Sequence, residues 1–170
     1  MKPAACLALA VLGLARADRI EAYFAPTGER RLLEERIGAE LKRAEREVCV
    51  AVFHFTSDRL VHALGEARKR GVSVRLLIDA AQADEGVVGR LRARGVEVRR
   101  VTPRGDVQTR FHHKYGVLDG RTVVTGSYNW TVQGDMSNHE NLVVLRDEKT
   151  AAAFRGDFEG VWNDAQLSRP

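Results

Sequence analysis

The chain has 170 residues, of which 44% are hydrophobic and 29% charged, with a formal net charge of +4. That suits one domain with a real core, since about 150 residues bury roughly 70% of their unfolded surface, and it excludes wholesale disorder. No apolar run approaches the ~20 residues that span a bilayer. Two cysteines, Cys6 and Cys49, exclude a disulfide framework, and no Cys pair or Cys/His cluster shows the ligand spacing of a zinc site, so no metal is expected.

Residues 1–17 read as a secretory signal peptide: Lys2, a short apolar run from Ala4 to Leu14, then the small-x-small sequence Ala15-Arg16-Ala17. Cleavage after Ala17 takes away Lys2, Arg16 and no acid, which leaves +2, and sends the protein to the periplasm or outside the cell. The domain is then 18–170. A short strand is expected at Glu21–Phe24 and a turn at Pro26-Thr27-Gly28. An amphipathic helix follows at Glu29–Ala44, with Leu32, Leu33, Ile37 and Leu41 on one side. Val48–Phe55 is almost continuously apolar, as a strand buried on both faces should be. Ser57 is a suitable N-cap for a helix that runs from Asp58 to Arg70, closed by Gly71. Val72–Ile78 is a second buried strand, Asp84–Arg94 a helix closed by Gly95, and Val96–Val101 a third strand.

The second half changes rhythm. Thr102–Arg110 is a polar, basic loop, and His112–Leu118 and Arg121–Thr125 are strands joined by the hairpin turn Asp119-Gly120. Gly126–Asn138 is irregular, Asn141–Leu145 is a strand and Lys149–Trp162 a final helix. A βαβαβ half predicts right-handed parallel strands, and the hairpin adds antiparallel ones. The fold class is therefore α/β, a mixed sheet with helices on both faces. Between Arg90 and Lys114 eight cations face only Glu97 and Asp106, a local +6 that suits an anionic substrate.

The chemistry concentrates in His112-His113-Lys114-Tyr115-Gly116-Val117-Leu118-Asp119 and Gly126-Ser127-Tyr128-Asn129. Six fixed positions in the pattern H-x-K-x4-D-x6-G-S-x-N arise by chance at about one start in 10⁸. Residues two apart in a strand share a face, so His112 and Lys114 project together and His113 points away. The hairpin returns Gly126, Ser127 and Asn129 to their side. An imidazole, an ammonium and neutral hydrogen-bonding groups suit a phosphodiester: Lys114 balances charge, Ser127 and Asn129 hold oxygens, Gly126 admits close approach, and His112 attacks phosphorus. Positive charge comes from Lys114, so no cofactor is needed. Asp119 belongs to the pattern, yet at the hairpin corner it suits holding the turn and nearby cations better than touching phosphate. His54, between Phe53 and Phe55, ends a strand that can face the same cleft. His62 is expected to be structural and His139 a loop residue.

This pattern resembles the signature of the phospholipase D superfamily, and the likeness extends to Phe55-Thr56-Ser57, Arg70-Gly71-Val72 and Gly126-Ser127-Tyr128-Asn129-Trp130-Thr131. It points to the small branch with one motif per chain. The resemblance implies a phospholipase D/nuclease-like sandwich, a phosphohistidine intermediate, independence of metals and a homodimer. It also implies that Glu140, in Glu140-Asn141, hydrogen-bonds the catalytic His112. The dimer has a physical reason too. In-line displacement needs a nucleophile on one side of phosphorus and an acid on the other. One H-x-K supplies only one histidine, and a two-fold partner supplies the second, with the active site on the interface. The expected substrate is nucleic acid, cut by an exported endonuclease; the alternative is phospholipid, with the same site acting as a phospholipase D.

Overall fold

The structure is a computed structural model that describes residues 19–26, 31–103 and 109–167. The expected signal peptide and the turn at 27–28 lie outside these residues. Seven strands form one mixed sheet: β1 (Arg19–Ala25), β2 (Glu47–Val52), β3 (Ser73–Asp79), β4 (Glu97–Val101), β5 (Lys114–Leu118), β6 (Thr122–Gly126) and β7 (Glu140–Arg146). Their order is β1-β7-β6-β5-β2-β3-β4. β2, β3 and β4 are parallel, and every other pairing is antiparallel.

Strand alternation sorts the sheet into two cores. Val48, Val50 and Val52 of β2 join Val74, Leu76 and Ile78 of β3 beneath α1 (Leu32–Arg43), α2 (Asp58–Lys69) and α3 (Glu85–Ala93). Cys49, Ala51, Leu77, Tyr115 and Val117 face the other way, under Ala151, Phe158 and Trp162 of α5 (Glu148–Leu167). A strand covered on both faces needs apolar residues at both parities, and this explains the unbroken apolar run of β2. Helices on both faces make the expected α/β sandwich.

The helix signals act as read where the cap is local. Ser57 Oγ accepts the Leu60 N–H at 3.1 Å, and Asp84 Oδ1 accepts that of Val87 at 2.8 Å. Elsewhere the cap is distant. α1 is described from Leu32, after Arg31 at φ 64°, and its free N–H groups at Leu33 and Glu34 are met by Asp135, about a hundred residues away in sequence, at 3.0 and 2.8 Å; the expected residues 29–30 lie outside the described ones. Asp135 sits on α4 (Val132–Ser137), a short helix inside the stretch expected to be irregular. It is capped by Thr131 Oγ1, which accepts the Gly134 N–H at 3.1 Å.

The expected +6 surface is not one surface. Successive residues of β4 face opposite sides. Arg99 stacks 3.9 Å from the Trp162 ring of α5 and donates to the Trp162 carbonyl at 2.5 Å, while Arg100 pairs with Glu85 of α3 at 2.6 Å. Arg90 pairs with Asp58 at 3.0 Å, and Arg92 donates to the Val98 carbonyl at 3.1 Å. Arg104 lies outside the described residues.

Candidate active site

Strand directions bring one edge of the sheet together. The C-terminal ends of β2, β3 and β6 and the N-terminal ends of β5 and β7 share it. β2 is the strand at which parallel pairing gives way to antiparallel pairing, a place where an open sheet leaves a crevice. Phe53 and His54 follow β2, Asp79 ends β3, His112 leads into β5, Gly126 ends β6 and Glu140 opens β7.

β5 starts at Lys114, so His112 and His113 precede the regular ladder, although the Phe53 N–H still donates to the His113 carbonyl at 2.7 Å. The face assignment holds. His112 packs against the Phe53 ring, centroids 4.6 Å apart. His113 turns to α5, edge-on to Phe111 and Tyr115 and 3.6 Å from Asp157. Lys114 Nζ stands 3.3 Å from His112 Nδ1 and 3.2 Å from Nε2, donates to the His112 carbonyl at 3.1 Å, and lies 5.2 Å from the Phe53 ring centre. Burial, then the Lys114 charge, hold the His112 imidazole below its ordinary basicity. Burial lowers the Lys114 ammonium as well, and Glu140 opposes that shift. The arrangement favours a neutral ring beside a cation.

The other half of the motif is anchored by its aromatic residues. Tyr128 and Trp130 are each 1% exposed. The Trp130 carbonyl accepts the Thr56 and Ser57 N–H groups at 3.0 and 3.1 Å, and Tyr128 Oη donates to the Thr131 carbonyl at 2.9 Å. A side chain at Gly116 would stand 3.5 Å from the Trp130 ring and 3.1 Å from Val124. With its alternate residues buried, the segment leaves Ser127 exposed and Asn129 half-buried. The Asn129 Oδ1 atom is itself buried, and among the described residues it has no hydrogen-bond partner. The unpaired amide oxygen is a ready acceptor for a protonated group, and the Nδ2–H group of the same amide can donate to a substrate oxygen.

Three expected roles change. Glu140 does not bond His112. Its Oε2 accepts a hydrogen bond from the Ser127 hydroxyl and its Oε1 one from the Asn138 amide at 3.3 Å, while Lys114 Nζ is the group within 3.3 Å of both imidazole nitrogens. Ser127 is occupied in turn, because its Oγ also accepts the Asn141 N–H at 3.1 Å. Gly126 makes room for the protein's own backbone rather than for a ligand. At φ 151°, a Cβ there would stand 2.2 Å from the Asn141 carbonyl oxygen on β7. Asp119, grouped with the catalytic residues by the signature but expected to hold the turn, does hold it: it is at the opposite edge, about 16 Å along the five residues of β5. Its buried carboxylate accepts the N–H groups of Glu45, Arg46 and Glu47 at 2.8–3.2 Å, and Arg121 stands 3.5 Å away. His54 lies half-buried at the active edge. His62 is an exposed residue of α2 and His139 an exposed residue before β7.

Against known proteins, the family model described as "Cardiolipin synthase, PLD-like domain" matches residues 37–162. The chain belongs to the phospholipase D superfamily. Its place is in the small single-domain branch. The mitochondrial cardiolipin hydrolase of Xenopus tropicalis is 37% identical over 126 residues, 73% of this chain and 58% of that protein. The chain therefore spans less than two thirds of the length of this relative. Nuc from Salmonella typhimurium, a phospholipase D family member, superposes with a TM-score of 0.74 at 26% identity, over 86% of this chain and 95% of Nuc. NucT from Helicobacter pylori gives a TM-score of 0.78 at 19% identity, over 86% of this chain and 96% of NucT. Among the described residues no three or more His, Cys, Asp or Glu side chains gather as a metal site, and no helix is long and apolar enough to cross a membrane.

Proposed function

We propose that this superfamily member hydrolyses phosphodiester bonds without a metal, with His112 as the nucleophile, and that its substrate is nucleic acid. The observation that carries the reading is the His112–Lys114 pair, a ring held below its ordinary basicity at the active edge of the sheet, against a cation that phosphate can recruit. The imidazole nitrogen attacks phosphorus and an N–P bond forms as the P–O bond to the leaving group breaks. Lys114 and Asn129 take the charge on the non-bridging oxygens. The leaving oxygen receives a proton from an imidazolium across phosphorus. Water then attacks the phosphohistidine, gives its proton to the histidine that acted as acid, and the N–P bond breaks. A second copy's His112 supplies that acid and base in a two-fold dimer. His54 and Ser127 line the substrate's path in this scheme, and Glu140 holds Ser127 and tempers Lys114. Export through residues 1–17 is part of the same proposal, supported by their apolar run and small-residue pattern.

The near-complete span of Nuc supports the nucleic-acid reading. A phospholipid substrate is the second reading. It is favoured by the name of the Xenopus relative and by Phe24, 63% exposed on β1, which pairs with Asn141 at the active edge. Residues 18–170, purified and assayed on plasmid, single-stranded DNA, RNA and cardiolipin vesicles, decide between them. We expect cleavage of a nucleic acid, lost by several powers of ten in His112→Ala. Vesicle hydrolysis with all nucleic acids left intact would reverse the substrate assignment. Retention of a tenth or more of kcat in His112→Ala would overturn the nucleophile.

A further inference from the structure

The sequence singles out nothing at Asp79, a residue that closes an apolar strand and reads as its polar end. In the structure Asp79 is 1% exposed, beneath the active edge. Each oxygen accepts a backbone N–H: Oδ1 that of Ala81 at 3.0 Å, and Oδ2 that of Phe111 at 2.8 Å. Phe111 directly precedes His112. The second bond ties the end of β3 to the point where the chain returns to the sheet after its long loop, 32 residues later. A buried carboxylate is costly to desolvate unless it is hydrogen-bonded, and these two amides meet that cost.

The carboxylate also acts on His112. Three charged or titratable groups influence the ring. Lys114 of β5 stands at 3.2–3.3 Å and disfavours a second positive charge, as does His113 on the same segment, while Asp79 of β3 favours it. Phe53, after β2, contributes only its apolar ring, and Glu140 of β7 acts on Lys114. With Lys114 alone the imidazole would be a poor proton carrier. A histidine that must serve as nucleophile in one role and acid in another needs both forms within reach.

We propose that Asp79 is a positioning residue for His112: it fixes the backbone before the ring through the Phe111 amide, and its negative charge offsets the Lys114 ammonium. The kinetic consequence rests on the reading of His112 as nucleophile; the coupling itself does not. Asp79→Asn keeps the shape and one acceptor but removes the charge. The titration midpoint of His112, followed by side-chain NMR and assigned against His112→Ala, should then fall by about half a pH unit or more. The acid limb of kcat/KM should move in the same direction. Asp79→Glu, which keeps the charge on a longer arm, should hold the midpoint near wild type while kcat falls. In the wild-type protein the Phe111 amide should be protected from hydrogen exchange, a measurement that needs no variant to fold. An unmoved midpoint in Asp79→Asn, or a Phe111 amide that exchanges as fast as an unstructured chain, would overturn the proposal. An active His112→Ala enzyme would instead overturn the nucleophile and leave the titration result standing.

Discussion

At the scale of single residues, the site is an arrangement of charge around one imidazole. The depressed basicity of His112 predicts that the acid limb of kcat/KM lies below about 6.5, the ordinary histidine value. A pH–rate profile on a small phosphodiester checks this, and a limb above 7 would contradict it. Gly126 was read as a place for a ligand and turns out to be one where two strands meet. Gly126→Ala puts a methyl group against the Asn141 carbonyl and should cost on the order of 3 kcal/mol in chemical denaturation. The motif gives His112, Lys114 and Asn129 because their spacing is local. Glu140's partner was not legible. The resemblance offers His112, and only the three-dimensional structure shows the carboxylate taken by the Ser127 hydroxyl. Asp79 was invisible for a similar reason: its partner, Phe111, lies beyond a helix, a strand and a loop.

At the scale of elements, the signature divides between the two ends of β5. His112 and Lys114 serve the active edge, and Asp119 serves the far one. There Asp119 and Gly120, at φ 54° and 66°, form the primed turn that an Asp-Gly pair predicts. Removing the Asp119 carboxylate strands three amides, and Asp119→Ala should lose on the order of 3 kcal/mol of stability without a proportional loss of kcat in the folded fraction. The amides of Arg46, Glu47 and Glu45 and the Arg121 charge overcome the effect of burial and hold this carboxyl below its ordinary 3.8. A depressed carboxyl contributes stability that is present above its unfolded value and lost as pH falls through the folded one. The wild type should therefore lose more stability than Asp119→Asn between pH 5 and 2, as thermal melts across that range would show; equal losses would contradict the role. The periodic elements β2, α2, β3 and α5 were legible because both faces, or a local cap, are written in adjacent residues. α4 was not, because six residues with a glycine carry no period, and α1's cap was not, because it comes from Asp135.

At the scale of the whole molecule, parity along the strands governs what the surface can do. The basic run from Arg90 to Lys114 looks continuous in sequence and is divided by the sheet, with Arg99 on the α5 side and Arg100 on the α3 side. On the nucleic-acid reading, the described residues offer contact at the active edge rather than along one basic strip. Arg100→Ala should leave the salt dependence of DNA binding nearly unchanged, whereas Lys114→Ala should reduce the log–log slope by about one contact, 0.7 to 0.9. Activity should survive EDTA, since Lys114 supplies the positive charge at the phosphate. Specific activity should fall on dilution through the dissociation constant of a two-fold dimer. The proposed mechanism turns on a covalent phosphohistidine. Substrate carrying a labelled phosphate, mixed with enzyme in EDTA and quenched in alkali within one turnover, should leave label on the peptide that contains His112, stable to base and released by acid. Label absent from that peptide while product still forms in a burst, or label found on any other residue, would contradict it.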